Sequence, residues 1–173
     1  MSKRSTDQIS TYYFHEGTTI EAYTYMGAHP DSQDGAAGYV FRVWAPNARA
    51  VSVVGDFNEW DREKHPMEKI TQGIWETFIP GLKQYDLYKF AVEGPDGAVH
   101  LKADPYAFHC ETRPGTSSKL YDISGYQWGD GDWQRHCREN PAYNGPLNIY
   151  EVHLGSWRQR PNGDFIDYRD MAD

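Results

Sequence analysis

Cysteine is nearly absent from this 173-residue chain, which carries only Cys110 and Cys137. A short secreted domain stapled by disulfides would carry more, so the sequence does not indicate a disulfide scaffold. The first residues are polar and lack the apolar stretch of a secretory signal. We therefore expect a reducing, cytoplasmic setting.

Long apolar runs and clusters of positive charge are missing too. No apolar stretch approaches the roughly 20 residues of a membrane-spanning helix, so we expect no membrane partner. The chain has 25 acidic residues against 17 Lys and Arg, and its formal net charge is −8. Because nucleic-acid binding relies on clustered Lys and Arg, we expect no nucleic-acid partner.

Aromatic residues, in contrast, are plentiful and make up 15% of the chain, within a hydrophobic content of 39%. That content is enough for a packed core and suits one domain, or one domain with an attached piece. The aromatic residues fit a β-rich core, and they equally fit a carbohydrate-binding surface. Both interpretations stay open from composition alone.

Two runs rich in β-branched and aromatic residues, Tyr39–Ala45 and Val51–Val54, flank a turn at Pro46. This pattern predicts a β-hairpin. Trp44 and Trp75 lie inside strand patterns, so we expect both to be buried.

Further strands follow at short spacing. The segment Ile74–Pro80 alternates with apolar residues on both faces, and Tyr85–Glu93 alternates with Tyr88 and Phe90 on the apolar face. The turn signal Gly94–Gly97 then predicts a return strand. Such short strands separated by turn residues predict an antiparallel, immunoglobulin-like β-sandwich, so the fold class is mainly β.

The loop Gly55–Trp60 places aromatic, amide and carboxylate side chains close together. Sugars have apolar C–H faces and a rim of hydroxyl groups, which suit aromatic rings and polar groups respectively. The loop therefore indicates sugar binding.

The segments Phe41–Ala48 and Val53–Trp60 resemble the family 48 carbohydrate-binding modules. The resemblance implies a β-sandwich of the kind found at the front of α-glucan branching and debranching enzymes. It also implies a glucan site in which Trp60 stacks on a glucose ring and Lys89 bonds hydroxyl groups, with the neighbouring Asn58 as a further hydroxyl partner.

The second stacking tryptophan of the family, expected after the turn Gly94–Gly97, is missing, and Ala98, Val99 and His100 stand there. A ring held by one aromatic residue loses about 1–2 kcal/mol of contact, or roughly tenfold in affinity. We therefore expect weak glucan binding.

Three further segments resemble the 1,4-α-glucan branching enzymes of glycogen biosynthesis: Lys102–Phe108, Arg113–Ser117 and Ile149–Trp157. In that family the last segment is the first strand of a (β/α)8 catalytic barrel of the α-amylase type, and Phe165–Ala172 would begin its first helix. The resemblance implies an N-terminal extension at 1–37, the module at 38–124, a linker at 125–146 and an incomplete barrel at 147–173.

The resemblance implies no catalytic residue in this chain, because the family's catalytic carboxylates come from later barrel strands. A parent enzyme would cleave an α-1,4 linkage and transfer the glucan to a 6-hydroxyl without a cofactor. We therefore expect the chain alone to bind α-glucan without catalysis. Two alternatives are a free-standing glycogen-binding or scaffold module and an inert fragment.

Two His-Cys pairs, at 109–110 and 136–137, are the nearest approach to a metal site. Adjacent residues of an extended chain point to opposite sides, and the spacing fits no usual zinc site. We therefore expect no metal.

Overall fold

The computed structural model describes residues 11–172, which fall into two compact units divided between residues 126 and 127. The first ten residues of the expected N-terminal extension lie outside the described residues. Residues 11–16 are helical and form α1, which is followed by a 3-10 turn at Ala22–Thr24. The rest of the first unit is built from β-strands.

Two antiparallel sheets form the first unit. Sheet A contains β1 (Gly27–Gln33), β2 (Ala36–Trp44), β4 (Glu68–Thr71) and β5 (Ile74–Pro80), in the order β1-β2-β5-β4. Sheet B contains β3 (Ala50–Gly55), β6 (Leu87–Glu93), β7 (Val99–Lys102), β8 (His109–Cys110) and β9 (Ser118–Lys119). Its order is β3-β6-β9-β8, and β7 also pairs with β6. The predicted antiparallel β-sandwich is confirmed.

The main core lies between the two sheets and is built by the alternation of strand side chains. Phe41 and Trp75 enter it from sheet A, and Tyr88 and Phe90 enter it from sheet B. The Phe41 and Tyr88 rings meet edge to face, 5.2 Å between centroids. The apolar face predicted for β6 is thus confirmed.

The predicted hairpin at Pro46 is wrong, because β2 belongs to sheet A and β3 to sheet B. The backbone groups at the two ends of the turn bind different sheets. The Ala45 N–H donates to Gly73 O at 2.7 Å, and the Arg49 N–H donates to Glu93 O at 2.9 Å. The turn therefore carries the chain from one sheet to the other.

The sandwich begins before the expected boundary at residue 38, since β1 pairs along its whole length with β2. Upstream of β1, residues Tyr25 and Met26 are buried and pack with Ile74 of β5 in a second cluster. Because Ile74 points away from the main core, this cluster lies on the outer face of sheet A. The chain itself therefore covers part of that face.

An ion pair lies beneath this cover. Arg42 is buried, and its Nε donates to the half-buried Glu76 carboxylate at 2.5 Å. The guanidinium also lies 4.3 Å from the centre of the Tyr25 ring, in the range of a cation–π contact. Arg42 thus joins sheet A to the segment that covers it.

Replacing Arg42 by alanine is expected to lower the free energy of unfolding by about 2–3 kcal/mol. Removing one partner of a buried ion pair leaves the other charge uncompensated, and partial exposure of Glu76 moderates that cost. Urea denaturation measures the change. Lys64→Ala, which breaks the exposed pair with Glu59, serves as control and should leave stability nearly unchanged. Equal losses in the two variants would contradict this role for Arg42.

The second unit contains α2 (Gly131–Glu139), a 3-10 turn at Ala142–Asn144 and the short α3 (Leu154–Trp157). The strand expected at the start of the barrel is wrong: residues 147–153 have no strand, and 154–157 are helical. Residues 168–172 form turns rather than the expected helix. A barrel strand takes its hydrogen bonds from neighbouring strands, and none of the described residues pairs with 147–153. Over residues 11–172 no helix is long and apolar enough to cross a membrane.

Candidate functional site

Lys89 lies on the outer face of sheet B, because its strand neighbours Tyr88 and Phe90 point into the core. It stands opposite Val54 in the pairing of β3 with β6. Its ammonium group donates to the Thr116 hydroxyl at 2.6 Å. An ammonium and a hydroxyl group held side by side offer donors and an acceptor to the hydroxyls of a sugar.

Trp60 follows the end of β3, in the loop that begins at Gly55. Its indole N–H donates to the Asp56 carboxylate at 2.8 Å, and 36% of its surface is exposed. Glu59 and Trp60 both have φ of 60°, an unusual conformation for residues other than glycine. Such conformations cluster at binding and catalytic sites, where the surroundings hold them in place. The loop therefore fixes the indole edge and leaves part of the ring open to solvent.

Asn58 does not have the position expected of a residue that bonds glucan. Its side chain is only 2% exposed, accepts a hydrogen bond from Gly55 N–H and donates to Val53 O, both at 2.9 Å. Its amide nitrogen also lies 2.9 Å from Nδ1 of His65. Burial lowers the pKa of His65, which keeps the ring neutral and able to accept this bond. Asn58 therefore holds the loop that presents Trp60, and its amide is not available to a ligand.

Asn58→Ala is expected to lower the free energy of unfolding by about 2 kcal/mol, because it leaves buried backbone groups unpaired. We also expect weaker carbohydrate binding, since the loop carrying Trp60 loses its internal support. Denaturant titration and a binding assay measure the two effects. Asn47→Ala, in an exposed turn, is the matched control. A loss of stability no larger than that of the control would contradict the role given to Asn58.

A cleft of about 210 Å3 lies on the outer face of sheet B, where Ser52 and Ala91 of neighbouring strands line it. Arg62 spans part of it and forms an ion pair with Glu93 at 3.4 Å. Val99 of β7 lines the cleft and is partly exposed. Small side chains on the strands thus produce a shallow groove, and Val99 stands in the region where the resemblance expects a second tryptophan.

Glu111 orders the loop that carries Thr116. Its carboxylate accepts a hydrogen bond from Ser117 N–H at 2.7 Å, and its own N–H donates to Ser117 O at 3.0 Å. The hydrogen bond from Ser117 lowers the pKa of Glu111, so the carboxylate stays ionised at neutral pH. The sequence motif at residues 113–117 marked this segment, but nothing in it indicated that Thr116 reaches Lys89.

The structure places Trp44 differently from expectation. Trp75 is buried as predicted, but Trp44 is 53% exposed and its indole N–H donates to Gln72 O. Trp44 ends β2 in sheet A, where its ring contacts Phe14 edge to face. It therefore lies on the other sheet from Lys89.

No cluster of three or more His, Cys, Asp or Glu side chains suited to a metal ion occurs among residues 11–172. Cys110 and Cys137 are both free and exposed. The two His-Cys pairs therefore form no metal cluster in the described part of the chain.

Residues 25–107 match a family described as carbohydrate-binding module 48, the isoamylase N-terminal domain. The match covers most of the β-sandwich, from β1 to β7. The matched residues include Trp60 and Lys89 and end before Thr116. The module described here extends past the match, since β8 and β9 complete sheet B.

Over nearly its whole length, the chain is similar to part of much longer proteins. The chain is 48% identical over 163 residues to the 1,4-alpha-glucan branching enzyme GlgB of Rubrobacter xylanophilus, covering 94% of this chain and 22% of that protein. It is 46% identical over 166 residues to GlgB of Bacillus caldolyticus, covering 95% and 25%. For GlgB of Bacillus cereus the identity is 44% over 174 residues, covering 100% and 27%. The chain thus spans about a quarter of the length of these relatives.

Solved structures align with part of the chain. Pullulanase from Bacillus acidopullulyticus aligns with a TM-score of 0.46 and 24% identity, covering 56% of this chain and 12% of that one. Ligand-free PulA from Klebsiella pneumoniae aligns with a TM-score of 0.45 and 26% identity, covering 56% and 9%.

Proposed function

We propose that the chain is the N-terminal, α-glucan-binding part of a 1,4-α-glucan branching enzyme of glycogen biosynthesis. The similarity of nearly the whole chain to about a quarter of three such enzymes supports this. The transfer of an α-1,4-linked glucan to a 6-hydroxyl is proposed for the longer protein. The module alone binds without catalysis. The two free, exposed cysteines favour a reducing, cytoplasmic setting.

The observation that carries the binding proposal is what sheet B and its loops present to solvent. The outer face of the sheet carries a groove and the bonded pair Lys89 and Thr116, and the loop that follows β3 carries the partly exposed Trp60. The outer face of sheet A, by contrast, is partly covered by Tyr25 and Met26. In the proposed site Trp60 stacks on a glucose ring, and Lys89 and Thr116 bond its hydroxyls.

The proposed site binds weakly. Val99 offers a smaller apolar surface than the indole that the resemblance expects there. The ion pair between Arg62 and Glu93 also lies in the groove, so an entering sugar competes with it for space. Losing one stacking partner removes about 1–2 kcal/mol, which corresponds to roughly tenfold in affinity. Millimolar to high micromolar dissociation constants for a short maltooligosaccharide are therefore expected.

Native gel electrophoresis of the purified chain tests the proposal. Glycogen cast into the gel should retard the chain, because each glycogen particle offers many chain ends to a weak site. An equal mass of dextran, which has mainly α-1,6 linkages, should retard it much less. Unchanged mobility in glycogen, with the chain folded by circular dichroism, would contradict α-glucan binding.

A further inference from the structure

A second cleft, of about 310 Å3, lies in the first unit at an edge of the sandwich. It is formed by His29 at the start of β1, by Tyr23 in the preceding 3-10 turn, by Phe108 before β8, and by Tyr121 and Asp122 after β9. None of these residues belongs to the site around Trp60 and Lys89. Its volume is at the lower end of the range for small-molecule sites, about 300–1,000 Å3.

Two of the rings in this cleft pack against a third, Phe108. Tyr23 and His29 each meet Phe108 edge to face, with centroid distances of 6.2 and 5.8 Å. Tyr23 is partly exposed, and Phe108 and Tyr121 are half-buried. Open aromatic faces suit the C–H faces of a sugar ring.

The polar groups of the cleft favour a neutral ligand with hydroxyl donors. His29 Nε2 lies 2.9 Å from Met26 O, and since a carbonyl only accepts, Nε2 carries a proton; in the neutral ring Nδ1 is then an acceptor. Asp122 accepts the Ser124 N–H at 2.8 Å, and hydrogen bonding to Ser124 lowers the pKa of Asp122. Among the described residues that line the cleft there is no Lys or Arg. Because these residues provide a carboxylate and no Lys or Arg side chain, the cleft disfavours phosphates and other anions.

We propose that this cleft is a second α-glucan subsite, which takes one or two glucosyl units between Tyr23, Phe108 and Tyr121, with Asp122 accepting a sugar hydroxyl. The inference rests on the proposed function, since it concerns the same ligand class. Two separated subsites on one module raise the effective affinity for a branched polymer, because binding at one raises the local concentration at the other.

The test is a maltotriose titration of the full chain carrying Trp60→Ala, followed by NMR at the backbone amides of His29 and Ser124. Both signals should shift and saturate. Adding Phe108→Ala should raise the dissociation constant obtained from these shifts about tenfold, because stacking is lost. Asp122→Asn, which keeps the side-chain shape, should raise the same dissociation constant about threefold, because a charged acceptor is lost.

Matched controls are Trp44→Ala, another exposed aromatic, and Asp86→Asn, whose carboxylate likewise accepts a backbone N–H. Neither should change the titration. The subsite is overturned if His29 and Ser124 do not shift, or if folded Phe108→Ala and Asp122→Asn variants titrate like the controls. If instead these two signals respond while the signals of residues 55–61 in the unmutated chain do not, the subsite stands and the Trp60 site fails.

Discussion

Tyr88→Phe is expected to lower the free energy of unfolding by about 3 kcal/mol at pH 7. The Tyr88 hydroxyl donates to the buried carboxylate of Asp104 at 2.6 Å. The other oxygen of Asp104 accepts the Tyr106 N–H at 2.8 Å. Removing the hydroxyl leaves a buried charged group short of one donor, which costs more than an ordinary hydrogen bond.

The loss should depend on pH. Burial raises the pKa of Asp104 above its ordinary value, and the hydrogen bond from Tyr88 opposes that rise. A group whose folded-state pKa is raised contributes stability that is fully present below its unfolded pKa and is lost as the pH rises through its folded pKa. Without Tyr88 the folded pKa of Asp104 rises further, so the variant loses more stability as the carboxyl ionises. The difference between the two proteins should therefore grow from about pH 4 to pH 7.

Denaturant titrations at several pH values measure this difference. Tyr39→Phe is the matched control, since Tyr39 is a buried tyrosine of the same core and its hydroxyl bonds no carboxylate among the described residues. Its stability loss should be smaller and should stay constant between pH 4 and 7. A Tyr88→Phe loss that is independent of pH would contradict the charge-based account.

Trp60→Ala is expected to weaken maltoheptaose binding about tenfold or more. The partly exposed indole is the largest apolar surface offered by the loop after β3, and stacking of one sugar ring on it contributes about 1–2 kcal/mol. Stability should change little, because the ring lies at the surface. Isothermal titration or affinity electrophoresis measures the change.

Trp44→Ala is the control for this experiment. Trp44 is more exposed than Trp60, and its indole N–H is likewise bonded, but it lies in sheet A. Its removal should leave the affinity unchanged. If the Trp44 variant loses binding and the Trp60 variant does not, the glucan site has been assigned to the wrong sheet.

Alternation along single strands predicted which side chains face the core, as at Tyr88 and Phe90 in β6. It could not predict which strands pair. Tyr39–Ala45 and Val51–Val54 are apolar on both faces, and the turn residues at Pro46 suit a crossing between sheets as well as a hairpin. The choice depends on β5 and β6, which lie far along the chain.

The candidate site was predicted in part. Trp60 and Lys89 follow from the family resemblance, and the structure places both in or beside sheet B; their binding role stays a prediction. The role of Asn58 could not be predicted, because an asparagine in a polar loop looks the same whether it binds a ligand or supports the backbone. Only the hydrogen bonds to Val53 and Gly55 distinguish the two.

The barrel strand shows the same limit. The apolar, β-prone run Ile149–Leu154 predicts a strand, but a strand forms only when partners satisfy its backbone. Within residues 11–172 those partners do not occur, and the run has no regular structure before α3.

The most direct test of the central claim, that the outer face of sheet B binds α-glucan, is NMR mapping of the full chain with maltoheptaose. Saturable shifts are expected at the amides of residues 55–61, of Lys89 and of residues 115–117. Shifts confined to sheet A around Trp44 and Gln72, or no shifts at millimolar ligand, would contradict this claim.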